Sequence, residues 1–266
     1  MNFRKLLRLK PKNIGLVLSG GALRGAAHVG VLQVFEREGI SPSIVAGTSV
    51  GAIIGATYAG GVTADTMVEM FTHLKWPNLI KVTWKNTLGL FDTEPLEGFI
   101  SDLIADSDFC DLTKKFAAVS CNLLTGEKVV MKEGPVAPAV RASAAFPGIF
   151  SPIKMGDRLL VDGGIVDNMP VSVAKEMGAD YIIAVDLSSP TVLSKSPENP
   201  IDLLFSVINL MHTRAALPDP KQIDCLIKPD VEEFSAWGFS DVEVMIARGR
   251  IAAEKVMLQL KKDLKL

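Results

Sequence analysis

With 266 residues, 48% of them apolar, the chain can bury the core of one large domain. A formal net charge of −2 supplies no global basic field of the kind that holds nucleic acid. Cys110, Cys121 and Cys225 show neither CxxC nor the histidine spacing of a zinc site, and read as reduced thiols of a cytoplasmic protein. No apolar run approaches the roughly 18 residues of a membrane span, so membrane contact is expected to be peripheral at most.

Residues 1–12 carry five basic side chains and no acid, and read as a basic tail ahead of one domain over 13–266. The tail is either solvated or laid against anionic lipid at the inner membrane face, with Phe3, Leu6, Leu7 and Leu9 as its apolar side. Ile14 to Ser19 predicts a buried first strand, and Ala26 to Glu38 has the spacing of a helix stopped at Gly39. Between them lies Gly20-Gly21-Ala22-Leu23-Arg24-Gly25, a glycine-rich turn whose unpaired backbone N–H groups suit an anion. The Rossmann fingerprint needs Gly-x-Gly-x-x-Gly, and a P-loop needs Gly-Lys-Ser/Thr; neither spacing is present. An oxyanion hole fits better, with convergent backbone donors about 3 Å from the developing charge. Arg24 opposes the helix dipole there, and reads either as a clamp for a carboxylate or phosphate or as a surface arginine.

Ile44 to Ala46 is a second short apolar run, followed by Gly47-Thr48-Ser49-Val50-Gly51 and a helix from Val50 to about Ala59. Gly-x-Ser-x-Gly at a strand-to-helix turn is how a nucleophile elbow looks, with Ser49 at its apex. The alternative is a plain helix capped by Thr48 or Ser49. A helix from Thr63 to about Leu74 follows. Residues 71–91 mix Trp76, Trp84, Leu88 and Leu90 with lysines and show no period, which fits either a lid or a lipid-facing rim or an ordinary loop.

Pro95 to Ala105 reads as a helix. Phe116 to Leu124 and Glu127 to Lys132 form a hairpin or neighbouring strands, and Val136 to Ala144 a short helix. Arg158 to Asp162 is a strand running into Gly163-Gly164. Val171 to Met177 is a helix, Tyr181 to Asp186 a strand, and Ser188 to Pro200 a loop. Ile201 to Leu217 is a helix, Ile223 to Lys228 a last strand, and the final helix buries Val242, Met245, Ala252, Val256 and Leu260. This alternation predicts an α/β fold, a largely parallel sheet covered on both sides in three α/β/α layers.

A serine nucleophile needs a proton acceptor. His28 and His212 both lie within helix patterns rather than on catalytic loops. Asp162 ends an apolar strand, so its carboxylate is expected at the same carboxyl edge of the sheet as Ser49. Partial burial would raise its pKa enough to serve as a base.

Four blocks then stand in order: Ser19 to Leu32, Gly47 to Gly51, Arg141 to Pro152 and Val161 to Pro170. Together they resemble the motifs of patatin-like phospholipases, and most closely the short bacterial single-domain members. The resemblance implies a patatin-like fold and a Ser–Asp dyad of Ser49 and Asp162, with no histidine, metal or cofactor. It also implies an oxyanion hole from the N–H groups of Gly20, Gly21 and Ala22. One departure is the loop itself: the family often has three consecutive glycines, whereas here Ser19 precedes the pair and Ala22 follows it. The leading functional reading is an acyl hydrolase of phospholipase A or lysophospholipase type acting on lipid esters. A soluble esterase or thioesterase shares the dyad, and a regulatory binding module is the reading from another class.

Overall fold

Ile14–Leu18 (β1), Ile44–Thr48 (β2) and Tyr181–Val185 (β10) are almost wholly buried, as strands covered on both faces must be. The computed structural model describes residues 11, 13–73, 79, 81–82, 88–188, 196, 203–204, 206–207, 210, 218–234 and 241–266. The basic tail, except Pro11, lies outside the described residues, as do His212, Trp76, Trp84 and most of 188–217.

In chain order β1 leads to helix α1 (Ala26–Arg37), β2, α2 (Val50–Ala59) and α3 (Ala64–His73). Two short strands follow, β3 (Lys81–Val82) and β4 (Gly89–Asp92), then α4 (Glu94–Leu103), β5 (Lys115–Asn122), β6 (Lys128–Met131) and α5 (Val136–Ser143). Next come β7 (Gly148–Phe150), β8 (Ile153–Met155), β9 (Arg158–Asp162), α6 (Val171–Glu176), β10, β11 (Cys225–Ile227) and α7 (Val242–Leu264). The main sheet runs β11-β10-β1-β2-β5-β9-β8, with β6 also paired to β5. The pairings from β11 through β5 are parallel.

Alternate residues of the central strands feed two separate cores. Leu16, Leu18, Val45, Phe116 and Ala118 pack under α1, α2, α5 and α7. Val17, Ile44, Ala46, Ala117 and Val119 face α6 through Val171, Val173 and Ala174. This is the three-layer α/β/α arrangement with a mostly parallel sheet. On α7, Val242, Met245, Ala252 and Leu260 are buried as the spacing predicts, with Val256 at the margin.

The expected aperiodic stretch at 71–91 contains real pairing. β3 pairs antiparallel with β4, and β4 pairs parallel with β7. Strands of two to four residues carry too little periodicity to be read locally; their partners supply the stability.

The course of β9 places the site. β2 pairs with β5 through Thr48↔Val119, while β6 covers Ala118 to Cys121 on the opposite edge. β9 pairs with Ser120 to Asn122 and therefore takes β2's edge, antiparallel, beyond β2's end. The carboxyl ends of β2 and β9 thus meet head-on. Asp162 ends its strand at the carboxyl end of β2, and it arrives there on a strand antiparallel to β2.

Candidate active site

Ser49 sits between β2 and α2 with φ 56° and ψ −124°, a conformation that costs a non-glycine residue about 1–3 kcal/mol. Its flanking glycines make the turn sterically feasible. A Cβ at Gly47 would stand 2.3 Å from the Gly51 carbonyl oxygen, and one at Gly51 would stand 2.2 Å from that of Leu18. The backbone amide of Ser49 donates to Ser143 Oγ at 3.0 Å, and Ser143 Oγ donates to the Val119 carbonyl at 2.6 Å. Ser49 remains partly exposed while Thr48 and Val50 are buried.

Asp162 is only 3% exposed. Its Oδ1 accepts the Gly164 amide at 2.7 Å, and its own amide donates to the Ala145 carbonyl at 2.9 Å. Burial pushes the carboxyl up to about pKa 6, against smaller opposing pulls from the Ser49 hydroxyl and the Gly164 amide. Oδ2 nevertheless has no hydrogen bond of regular geometry among the described residues. The two observations fit a serine and a carboxyl that are neighbours in loose contact, as catalytic hydrogen bonds often are before substrate binds.

The glycine loop crosses over this pair. A Cβ on Gly20 would lie 3.3 Å from Ser49 Cβ and 2.5 Å from Asn168 Oδ1. The expected trio of oxyanion donors needs correction here. The Gly20 amide already donates to the Asn168 carbonyl at 3.2 Å, so that loop position is clamped rather than open. The amides of Gly21 and Ala22 donate to no partner among the described residues. Ala22 adopts φ 51°, the left-handed conformation that a third glycine would take without strain.

His28 braces the same loop from below. Its Nε2 lies 2.9 Å from the Ser19 carbonyl, which can only accept, so Nε2 carries the proton. Full burial lowers its pKa to about 4, and the ring is neutral. His73 is exposed at the end of α3. Arg24 is not directed at the loop either. Its Nε donates to the Phe234 carbonyl at 3.0 Å, and its Nη2 to those of Phe234 and Glu232 at 2.9 and 3.2 Å. The clamp for an anion is thus, in this structure, a brace for residues 232–234.

Two positions at this junction escaped the sequence reading, Ser143 and Asn168. Both fall inside motif blocks, yet a serine between alanines reads as helix filler and an asparagine before Met-Pro reads as a turn. Phe146 is buried, and the carbonyl of the neighbouring Ala145 accepts the Asp162 amide. Among the described residues, no three His, Cys, Asp or Glu side chains gather as a metal site requires. Among them, too, no helix is long and apolar enough to cross a membrane.

The family model of patatin-like phospholipases matches residues 16–175, more than half of the chain and all four blocks. The chain belongs to the patatin-like phospholipase family. A patatin-like phospholipase domain-containing protein of Caenorhabditis elegans is 37% identical over 71% of this chain and 14% of its own length. A lysophospholipase of Emericella nidulans is 34% identical over 82% of this chain and 15% of its own. An NTE family protein of Mycobacterium bovis is 28% identical over 97% of this chain and 48% of its own. The chain therefore spans about half, or much less, of these patatin-like relatives. In fold it is similar to VipD from Legionella pneumophila, with a TM-score of 0.65 at 15% identity over 95% of this chain and 67% of VipD. The effector ExoU gives a TM-score of 0.56 at 16% identity, over 96% of this chain and 54% of ExoU.

Proposed function

We propose that this chain is a serine acyl hydrolase in which Ser49 is the nucleophile and Asp162 its general base. One observation carries the reading: a strained, partly exposed serine lies against a buried carboxyl whose pKa is lifted to about 6. An unperturbed aspartate near pKa 4 is a poor acceptor for a hydroxyl proton, and burial removes much of that mismatch. Asp162 takes the Oγ proton as Oγ attacks the acyl carbonyl. The developing oxyanion turns to the amides of Gly21 and Ala22 and to the N-terminus of α2. Collapse of the adduct expels the alkoxide, which takes the proton back from Asp162. Water then attacks the acyl-enzyme; Asp162 accepts a proton from it, and Ser49 Oγ is reprotonated on release of the acid.

The substrate class we assign is the lipid ester, of phospholipase A or lysophospholipase type. Membership of a phospholipase family and the lysophospholipase name of the Emericella nidulans relative support it. Exposed Val82 and Leu90 on the small sheet, with Leu88 just ahead of β4, supply an apolar rim for peripheral contact with a lipid surface. Fluorophosphonate labelling of wild type and Ser49→Ala, with esters of short and long acyl chains hydrolysed in parallel, tests both levels. Labelling confined to wild type and turnover rising with chain length is the expected result. Equal labelling of Ser49→Ala would overturn the nucleophile, and a preference for short soluble esters would overturn the lipid assignment.

A further inference from the structure

We propose that Ser143 is a positioning residue for the nucleophile: its hydroxyl fastens the Ser49 amide to β5 and so keeps Oγ in register with Asp162. The inference rests on the acyl-hydrolase reading above.

The hydrogen-bond directions are fixed by chemistry. A carbonyl can only accept, so the single Ser143 proton goes to Val119, and the same oxygen receives the Ser49 amide. Ser143 is 0% exposed, so no solvent competes for either bond. The anchoring point matters most. Val119 pairs with Thr48, and the next residue, Ser120, pairs with Asp162. One short piece of β5 therefore sets the height of the strand that delivers the nucleophile and of the strand that delivers the base. Ser143 adds a third tie from that piece to the turn itself.

The turn needs such a tie. Ser49 is at φ 56° and precedes α2, where the first amides have no partner within the helix. Filling the Ser49 amide also removes it as an oxyanion donor, which leaves the oxyanion to the glycine loop and the helix end beyond Ser49. The carrier of Ser143 is itself anchored. Arg141, on the same helix, pairs with Asp92 and Glu97 at 2.7 Å each and donates to Thr93 at 3.2 Å.

The test compares Ser143→Ala and Ser143→Cys with wild type by the rate of fluorophosphonate labelling and by the kinetics of a soluble ester. Misplacing a reacting group by an ångström costs up to about 100-fold, so Ser143→Ala should label about 10- to 100-fold more slowly. KM should stay within about twofold, because the loss falls on the transition state. The midpoint of the pH profile should not move, since Asp162 keeps its surroundings. Ser143→Cys, with a weaker donor and acceptor of similar size, should fall between. If the alanine variant does not fold, slowed labelling of the cysteine variant with an unmoved midpoint still supports the proposal. Labelling of either folded variant at the wild-type rate, with only a lower Tm, would overturn it and leave Ser143 a structural brace. Absence of labelling in wild type would instead remove the acyl-hydrolase reading on which the proposal stands.

Discussion

Thr48 and Asp162 end two strands that approach head-on along one edge of β5, opposite the adjacent residues Val119 and Ser120. The arrangement delivers a carboxyl to a strand-turn-helix serine. It also buries that carboxyl, with consequences for stability as well as chemistry.

Burial raises the Asp162 pKa from 3.8 to about 6, so the folded state holds a proton that the unfolded chain has lost between those values. Stability from this group is complete below pH 3.8 and is lost as pH rises through 6, a cost of about 3 kcal/mol at pH 8. Asp162→Asn keeps an oxygen for the Gly164 amide and has no charge to bury. Denaturant unfolding should find Asp162→Asn more stable than wild type at pH 8 and nearly equal to it at pH 4, although catalytically dead.

His28 has the opposite sign. Its folded pKa of about 4 lies below the ordinary 6.5, so its contribution is present above pH 6.5 and is lost as pH falls through 4. Acid unfolding of Asp162→Asn should therefore be steeper between pH 6.5 and 4 than that of wild type, in which the two groups offset one another. Replacing His28 by glutamine in the Asp162→Asn background should flatten that slope in the same titration.

Two glycines separate catalytic from structural strain. A Cβ on Gly51 would meet the Leu18 carbonyl oxygen at 2.2 Å, and one on Gly30 would meet that of Ile246 at 1.9 Å where α1 crosses α7. Each alanine variant should lose stability by about 1–3 kcal/mol through overpacking. Only Gly51→Ala should also lose labelling rate in its folded fraction, by about 100-fold, because it shifts the turn under Ser49. Equal labelling by both variants would show that the turn tolerates displacement.

Arg24 gives a prediction about substrate. With its Nε and Nη2 committed to the carbonyls of Glu232 and Phe234, Arg24→Met should cost about 1–3 kcal/mol of stability. Activity on a phospholipid and on an uncharged ester should then fall by the same factor. A selective rise in KM for the phospholipid would restore the role of an anion clamp.

The buried parallel strands and the Ser49 turn were legible because each is written in a few contiguous residues: Ile44 to Ala46 apolar, then glycines spaced about a serine. The strand ending at Asp162 was legible but not its direction, since strand polarity depends on β5, some forty positions earlier. Gly20 looked like an oxyanion donor because its partner, the Asn168 carbonyl, is a backbone group with no side-chain signature. Ser143 was hidden for a related reason. Its value lies in which amide it meets, and that amide belongs to a residue 94 positions away.

The central claim is that Asp162 is the base for Ser49, and the pH dependence of fluorophosphonate labelling tests it most directly. In wild type the rate should rise with pH to a plateau, with a midpoint near 6, as Asp162 ionises. In Asp162→Asn the rate should fall by about 1,000-fold or more and lose that midpoint. An unchanged midpoint in Asp162→Asn, with labelling near the wild-type rate, would contradict the account and assign the proton to another group.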